Sequence, residues 1–284
     1  MDSLDLARYL PMLAGKPIVC VHHNVESALL RRRAATTRGL ARRYIMLQAR
    51  LTEMEERRWC PAMSLNIAVS DVDRDVFKEI APSARFVVVP NGVDTQTFQP
   101  TDTPVEGIVF VGGYTWQPNR DAMEHFCLEV LPRLRARGIN APVTWVGRAP
   151  DAVKLEYADR YGVHLTGYLE DIRPAVQRAA CYVAPLRAGG GTRLKILDAW
   201  AMGKAVVSTA VGCEGLEARD GENILVRNSA EAFAAGVEAV LADDELRRRL
   251  GAEARRTAEE RYDWEVIGDQ MLPHYRNLCA TRAF

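Results

Sequence analysis

Long apolar runs are missing from this 284-residue chain. None approaches the ~20 residues that a membrane-spanning helix needs, so the reading is of a protein without a helical span. A charge of one sign is missing too. Lys and Arg number 37, and so do Asp and Glu, so global charge does not suggest a nucleic-acid partner. Cysteine is sparse, and its six positions (20, 60, 127, 181, 213 and 279) hold no C-x-x-C pair. Several lie in apolar runs, where a free thiol behaves as a small hydrophobe, and a reduced, cytoplasmic protein is the expectation. No signal-peptide pattern occupies the first 20 residues. The phosphate-binding fingerprint G-x-G-x-x-G is absent, which counts against a dinucleotide-binding Rossmann protein. Local signatures of Ser-His-Asp or Cys-His catalysis are absent as well.

What is present is a regular alternation. From Gly107, strands at 107–111, 142–147, 163–166, 181–184, 205–208 and 223–226 alternate with helices over 118–137, 151–160, 171–180, 193–202, 230–241 and 244–261. That rhythm predicts a parallel, doubly wound α/β sheet with its ligand at the carboxyl ends of the strands. Before it come a short helix (5–13), a strand ending at His22-His23-Asn24, and strands at 65–69 and 86–89, with a helix over 71–80. Residues 26–59 read as one long basic helical stretch. In it Leu40, Tyr44, Leu47, Leu51 and Met54 make a single apolar stripe. A packed helix with a solvated face is the first reading there, and an interfacial helix on anionic lipid the alternative. Thr95–Glu106, with two prolines and mixed polar residues, reads as a linker.

The stretch that organises the chain runs from Pro185 to Leu216. Gly189, Gly190 and Gly191 follow the strand Cys-Tyr-Val-Ala, and Thr192 stands at the expected N-cap of a helix reaching Met202. Leu194, Leu197 and Ala201 are expected on one face of it. Glycines let backbone approach a ligand closely, and the first amides of a helix point outward with about half a positive charge. Arg193 and Lys195 add two cations to that first turn, where a purely structural helix would gain more from Asp or Glu. A bound phosphate or diphosphate removes the conflict. The bland alternative is a flexible loop with two solvated cations.

The segment Gly-Gly-Gly-Thr-Arg-Leu-Lys-Ile-Leu-Asp-Ala-Trp-Ala-Met-Gly-Lys-Ala-Val-Val-Ser-Thr resembles the donor-site motif of retaining glycosyltransferases of family 4, which have the two-domain GT-B fold. Gly190 stands where many members carry the first of two Glu residues, and Asp198 where they carry the second, as in a triple-glycine subgroup. Further motifs resemble the family in order and spacing: His23-Asn24, Val69-Ser70, Pro90-Asn91-Gly92-Val93-Asp94, Phe110-Val-Gly112-Gly113 with Trp116-Gln-Pro-Asn119-Arg-Asp121, and Gly167-Tyr168-Leu169. The resemblance implies a complete Rossmann-like donor domain and an incomplete N-terminal Rossmann-like region. The expected division is 1–100 on the acceptor side, 101–263 on the donor side, and a helix at 264–284 returning to the first region. The first part of the family's N-terminal domain is expected to be lacking.

By the same resemblance, the expected function is transfer of a sugar from a nucleoside-diphosphate-sugar to a glycan or lipid-linked acceptor, with retention. That donor is a co-substrate, and no cofactor is expected. Arg193 and Lys195 would stabilise the leaving diphosphate, with amides at Gly112, Gly113, Gly190, Gly191 and Thr192. Asp198 would hold the ribose, Tyr168 and Leu169 would meet the base, and His23 would lie by the transferred sugar or acceptor. No residue is assigned as a covalent nucleophile. Peripheral contact with the inner face of a membrane is a further expectation. Asp71-Val-Asp73-Arg-Asp75 invites a metal reading. The calcium-loop offsets fail, since Val76 and Pro82 stand where Gly and Glu belong, and first-turn acids complement a helix dipole. No metal is therefore expected. The rival function is a non-catalytic nucleotide-sugar-binding fragment that needs a separate N-terminal chain.

Overall fold

The structure, a computed structural model, describes residues 1–13, 15–189 and 193–280. Two parallel sheets are built from the predicted alternation. The first holds β1 (Val19–His22), β2 (Leu65–Ala68) and β3 (Phe86–Val88) in the order β1-β2-β3. A 3₁₀ helix (Leu4–Leu13) precedes it, and α1 (Glu26–Thr36), α2 (Gly39–Trp59) and α3 (Asp71–Ile80) connect its strands. The second holds β4 (Ile108–Val111), β5 (Val143–Val146), β6 (Val163–Gly167), β7 (Cys181–Ala184), β8 (Val206–Ser208) and β9 (Leu225–Val226). Its order is β6-β5-β4-β7-β8-β9. Winding reverses between β4 and β7, so the segments leaving these two strands diverge and open a crevice at their carboxyl ends.

The crossovers of the second sheet are α4 (Gln117–His125) and α5 (Leu131–Ala136), joined by a π-helical turn at Phe126–Val130, then α6 (Asp151–Tyr161), α7 (Arg173–Arg178), α8 (Leu194–Ala201), α9 (Ala230–Ala242) and α10 (Asp244–Arg261). Pro132 follows the π turn at the head of α5; lacking an N–H, it is accommodated where the regular ladder is already broken. Helices cover both faces, as a parallel sheet requires. Phe110, Trp145, Phe126 and Phe233 pack on one face, and Ile196, Leu197 and Trp200 of α8 with Tyr182 and Ala184 on the other.

The last helix, α11 (Trp264–Ala280), packs Ile267 with Leu65, Ile67 and Val89 of the first sheet. Where it departs, Val93 N–H donates to Tyr262 O at 2.7 Å and Trp264 N–H to Val93 O at 3.3 Å. A Cβ on Gly92 would stand 2.7 Å from the Trp264 ring, which accounts for glycine in Pro90-Asn-Gly-Val-Asp94. Arg255 of α10 donates to the carbonyls of Thr95 (3.0 Å), Phe98 (2.7 Å) and Ala201 (2.5 Å), fastening the linker to the end of α8.

Two expectations are corrected. The stretch 26–59 is a helical hairpin, because Thr37 and Arg38 are extended and Gly39 takes φ +67°, a conformation that glycine adopts without strain. The stripe of α2 faces solvent: Leu40, Tyr44, Leu47, Leu51 and Met54 are 46–80% exposed. The opposite face, carrying Ile45, Ala49 and Glu56, is the buried one. Glu56 is partnered there by Ser27, whose N–H and hydroxyl donate to its two oxygens at 3.1 and 2.5 Å.

Candidate functional site

The crevice at the switch point is lined from three directions. β4 ends in Gly112 and Gly113, and Gly112 N–H donates to Val146 O at 2.8 Å. A Cβ on Gly112 would lie 2.6 Å from the side chain of Asn119, so glycine lets Asn119 fold against the turn. Asn119 Nδ2 donates to Gly113 O at 3.2 Å, and its Oδ1 accepts from Lys195 Nζ at 2.6 Å. The amide thus holds the turn and presents the lysine. The Lys195 ammonium also lies 4.9 Å from the centroid of the Phe110 ring, a cation–π contact. Burial, followed by the charge of Arg193, lowers its pKa to about 8.

Arg193 is the N-cap residue of α8 and Lys195 the second residue of the helix. Gly189, at φ +138°, would with a Cβ stand 3.0 Å from Nη1 of Arg193. The guanidinium therefore lies against the loop backbone. It is buried; its Nε donates to Val211 O at 3.1 Å, and its Nη2 is 3.9 Å from Glu214 Oε2. Burial lowers its pKa and the Glu214 carboxylate acts the other way. Two desolvated cations at one helix terminus, where the dipole is also positive, form a ready site for an anion. Their heads part, one toward Asn119 and one toward Glu214, with the helix end between.

Asp198 lies one turn further on, where burial raises its carboxyl to about 6. The buried hydroxyl of Tyr182 feels its charge. Tyr168, after β6, is 65% exposed with the Arg148 guanidinium 4.6 Å above its ring. Leu169 packs half-buried against the cluster under α8. Gly190, Gly191 and Thr192 lie outside the described residues; the N-cap of α8, expected at Thr192, is Arg193. Of the apolar face expected on α8, Leu197 and Ala201 are buried, whereas Leu194 is 49% exposed and Ile196 is buried in its place.

His23 is apart from this group. It is exposed, with Nε2 3.1 Å from Asp2 Oδ1, and lines a separate cavity of about 540 Å³ with Arg8, Glu26, Glu55 and Trp59. Its neighbour His22 is buried, 2.9 Å from Asn66 Oδ1 and against Phe77, and burial lowers its pKa, favouring the neutral ring. The acidic run caps α3: Ser70 Oγ accepts from Asp73 N–H at 3.1 Å and donates to its carboxylate at 2.8 Å, while Asp75 and Asp71 pair with Arg74.

Three contributors escape sequence reasoning. Asn119 stands in the Trp116–Asp121 motif, which by itself implies no role for it. Arg187 pairs with Asp121 through both carboxylate oxygens, at 2.6 and 3.1 Å, tying the loop after β7 to α4. Arg32 donates to Gly189 O at 2.9 Å and to both oxygens of Glu214 at 2.6 and 3.1 Å. An arginine inside the run Arg31-Arg32-Arg33 gives no local signal for such a contact.

Comparison with known proteins agrees with this geometry. The family described as "Glycosyl transferases group 1" matches residues 106–243, and the one described as "Glycosyltransferase Family 4" matches residues 3–97. A phosphatidyl-myo-inositol mannosyltransferase of Mycobacterium tuberculosis is 31% identical over 288 residues, covering 95% of this chain and 70% of the relative. The corresponding protein of Mycolicibacterium smegmatis is 30% identical over 229 residues, of which the match spans 76% of this chain and 58% of the relative. Among solved structures, sucrose-phosphate synthase of Thermosynechococcus elongatus aligns with TM-score 0.74 at 20% identity, over 98% of this chain and 72% of the other. Anabaena HepE in complex with UDP aligns with TM-score 0.75 at 16% identity, over 96% and 76%. With two parallel sheets and a switch-point crevice of this kind, the chain belongs to the group 1, family 4 glycosyltransferases of GT-B fold.

Proposed function

We propose that the chain binds a nucleoside-diphosphate-sugar in the switch-point crevice and transfers the sugar, with retention, to a glycan or lipid-linked acceptor. One observation carries the reading: Arg193, buried, and Lys195, held by Asn119, flank the amino end of α8 beside the glycine turn of β4. A leaving diphosphate gains negative charge as the glycosidic bond breaks. Fixed cations and helix amides in a dry crevice stabilise that charge without reorganising, so they favour the transition state over the bound donor. A metal is then not needed for the leaving group.

The remaining roles follow position. Gly112 and Gly113 bring backbone close to the diphosphate, and the amide-donor role of Gly190, Gly191 and Thr192 stands on the resemblance alone. Asp198 accepts hydrogen bonds from the ribose as a carboxylate. Tyr168 and Leu169 border the base, and His23 faces the acceptor side with the cavity it lines. The chain divides into an acceptor-side region (1–100), a donor domain (101–263) and the returning helix (264–284). Relatives named mannosyltransferases acting on phosphatidyl-myo-inositol and on cellobiosyl-diphosphopolyprenol support an acceptor carried by lipid. The exposed apolar stripe of α2, with Arg43 and Arg50 beside it, supports peripheral contact with an anionic membrane.

The test is a binding panel of UDP, GDP and ADP, with inorganic phosphate as control. One nucleoside diphosphate is expected to raise Tm, since a ligand at ~100 times its Kd adds about 2.7 kcal/mol to the folded state. Stabilisation without turnover of GDP-mannose or UDP-glucose would favour the non-catalytic binding fragment. No response to any nucleotide would overturn both.

A further inference from the structure

We propose that Arg32 is a positioning residue that reaches from α1 to the donor loop and keeps Glu214 from pairing directly with Arg193; this rests on the nucleoside-diphosphate reading above. Glu214 is the acidic partner shared by two arginines. Its Oε2 lies 2.6 Å from Nη1 of Arg32 but 3.9 Å from Nη2 of Arg193, and its Oε1 lies 3.1 Å from Nη2 of Arg32. The planar fork of Arg32 thus takes both carboxylate oxygens, the stronger bidentate geometry, and leaves Arg193 the longer contact.

The consequence is electrostatic. A carboxylate drawn fully onto Arg193 would neutralise the charge that the diphosphate needs and would occupy the same fork. With Arg32 in place, Glu214 is already satisfied, and its pull on Arg193 is the weaker of its two pairings. Arg32 Nη1 also donates to Gly189 O at 2.9 Å, and Gly189 is the residue against which the Arg193 guanidinium lies. The same side chain therefore fixes the loop backbone that supports Arg193. Close approach of the two regions elsewhere makes the reach short: a Cβ on Gly215 would stand 3.2 Å from Ser70 Cβ. Asp73, whose carboxyl is raised by burial and is hydrogen-bonded to Ser70, is the other acid facing this cluster.

The decisive experiment uses the full chain and calorimetric titration with UDP and GDP. Arg32→Ala is expected to weaken whichever nucleotide the wild type binds by roughly 10-fold, the factor that ~1.4 kcal/mol makes. Adding Glu214→Gln to it should restore most of that affinity, because no carboxylate then competes for Arg193. A purely structural role for Arg32 would not be rescued by removing an acid. Arg31→Ala, which loses only the exposed pair with Glu53, should bind as the wild type does. If Arg32→Ala does not fold, Arg32→Lys should weaken binding and Glu214→Gln alone should not; the reverse pattern overturns the proposal. Wild-type affinity in Arg32→Ala, or equal weakening with and without Glu214→Gln, also overturns it. A wild-type protein that binds neither nucleotide sinks the functional reading first, and this inference with it.

Discussion

Strand β7 of the six-stranded sheet is buried at all four positions, whereas β3 of the three-stranded sheet is only half-buried throughout. The larger sheet has an apolar cluster on each face, and each cluster contains large aromatic side chains at its centre. The smaller sheet is covered by three slighter clusters. Exposed large apolar side chains are more numerous in the first region, where Leu6, Tyr9 and Met12 join the α2 stripe, than in the second, where Trp116, Leu128, Leu155, Tyr168 and Leu194 are exposed. The difference teaches where rigidity is placed. The cations lie on a helix whose buried face is set by Ile196, Leu197 and Trp200, so their stems start from fixed points. The first region supplies surface, and reaches the crevice through Arg32.

The widest way to break this contrast is through the core. Trp200→Ala should cost ~3–5 kcal/mol and abolish nucleotide binding, while Leu47→Ala on the stripe should stay within ~0.5 kcal/mol; chemical denaturation followed by fluorescence gives both numbers. Equal losses would mean that the two regions share stability evenly.

Protons sharpen it next. The Lys195 ammonium keeps its proton below about 8 and loses it above, and a bound diphosphate stabilises the charged form. Affinity should therefore fall as pH rises through about 8, by up to ~10-fold per unit, since one pKa unit corresponds to 1.36 kcal/mol. Lys195→Arg should remove that alkaline fall. On the other side, the Asp198 carboxyl is protonated below about 6, which would remove the acceptor proposed for the ribose, so affinity should also fall below that pH. Titration of the bound nucleotide across pH 5 to 9.5 in the wild type and Lys195→Arg checks the two limbs.

A smaller effect is expected on the first region. Replacing Arg43 and Arg50 with Gln should reduce co-sedimentation with phosphatidylglycerol vesicles by about 1 kcal/mol per residue, and leave nucleotide affinity unchanged. The smallest effect is none: EDTA should not alter donor binding or turnover. Loss that Mn²⁺ or Mg²⁺ restores would contradict this and turn attention to Asp71 and Asp73.

Most of the fold was legible because strands buried on both faces read as short continuous apolar runs. Cys181–Ala184 matches its expected limits, and β4, β5 and β8 differ by only a residue at either end. The α2 stripe shows the limit of periodicity, which marks a face without saying whether protein or solvent covers it. Ile45 and Ala49, small in number beside five large apolar residues, are the ones that pack. At the site, a glycine loop before a helix points to Arg193 and Lys195, and the resemblance to the family adds Asp198. Their partners were not legible: Lys195 meets Asn119 across 76 residues of sequence, and Arg32 meets Glu214 across 182. Such pairs arise from the switch point and the domain crossing, which no local spacing encodes.

The central claim, that Arg193 and Lys195 carry the developing charge of the leaving diphosphate, is tested most directly by donor hydrolysis to water, which needs no acceptor. Single-turnover rates would be measured with GDP-mannose and UDP-glucose for the wild type, Arg193→Ala, Arg193→Lys and Lys195→Ala, beside the Kd of the matching nucleotide. The account predicts a fall of ~10²–10³ in rate for Arg193→Ala, as for one preorganised donor, with a smaller change in Kd and only partial recovery in Arg193→Lys. Near-wild-type rates in both Arg193→Ala and Lys195→Ala would contradict it.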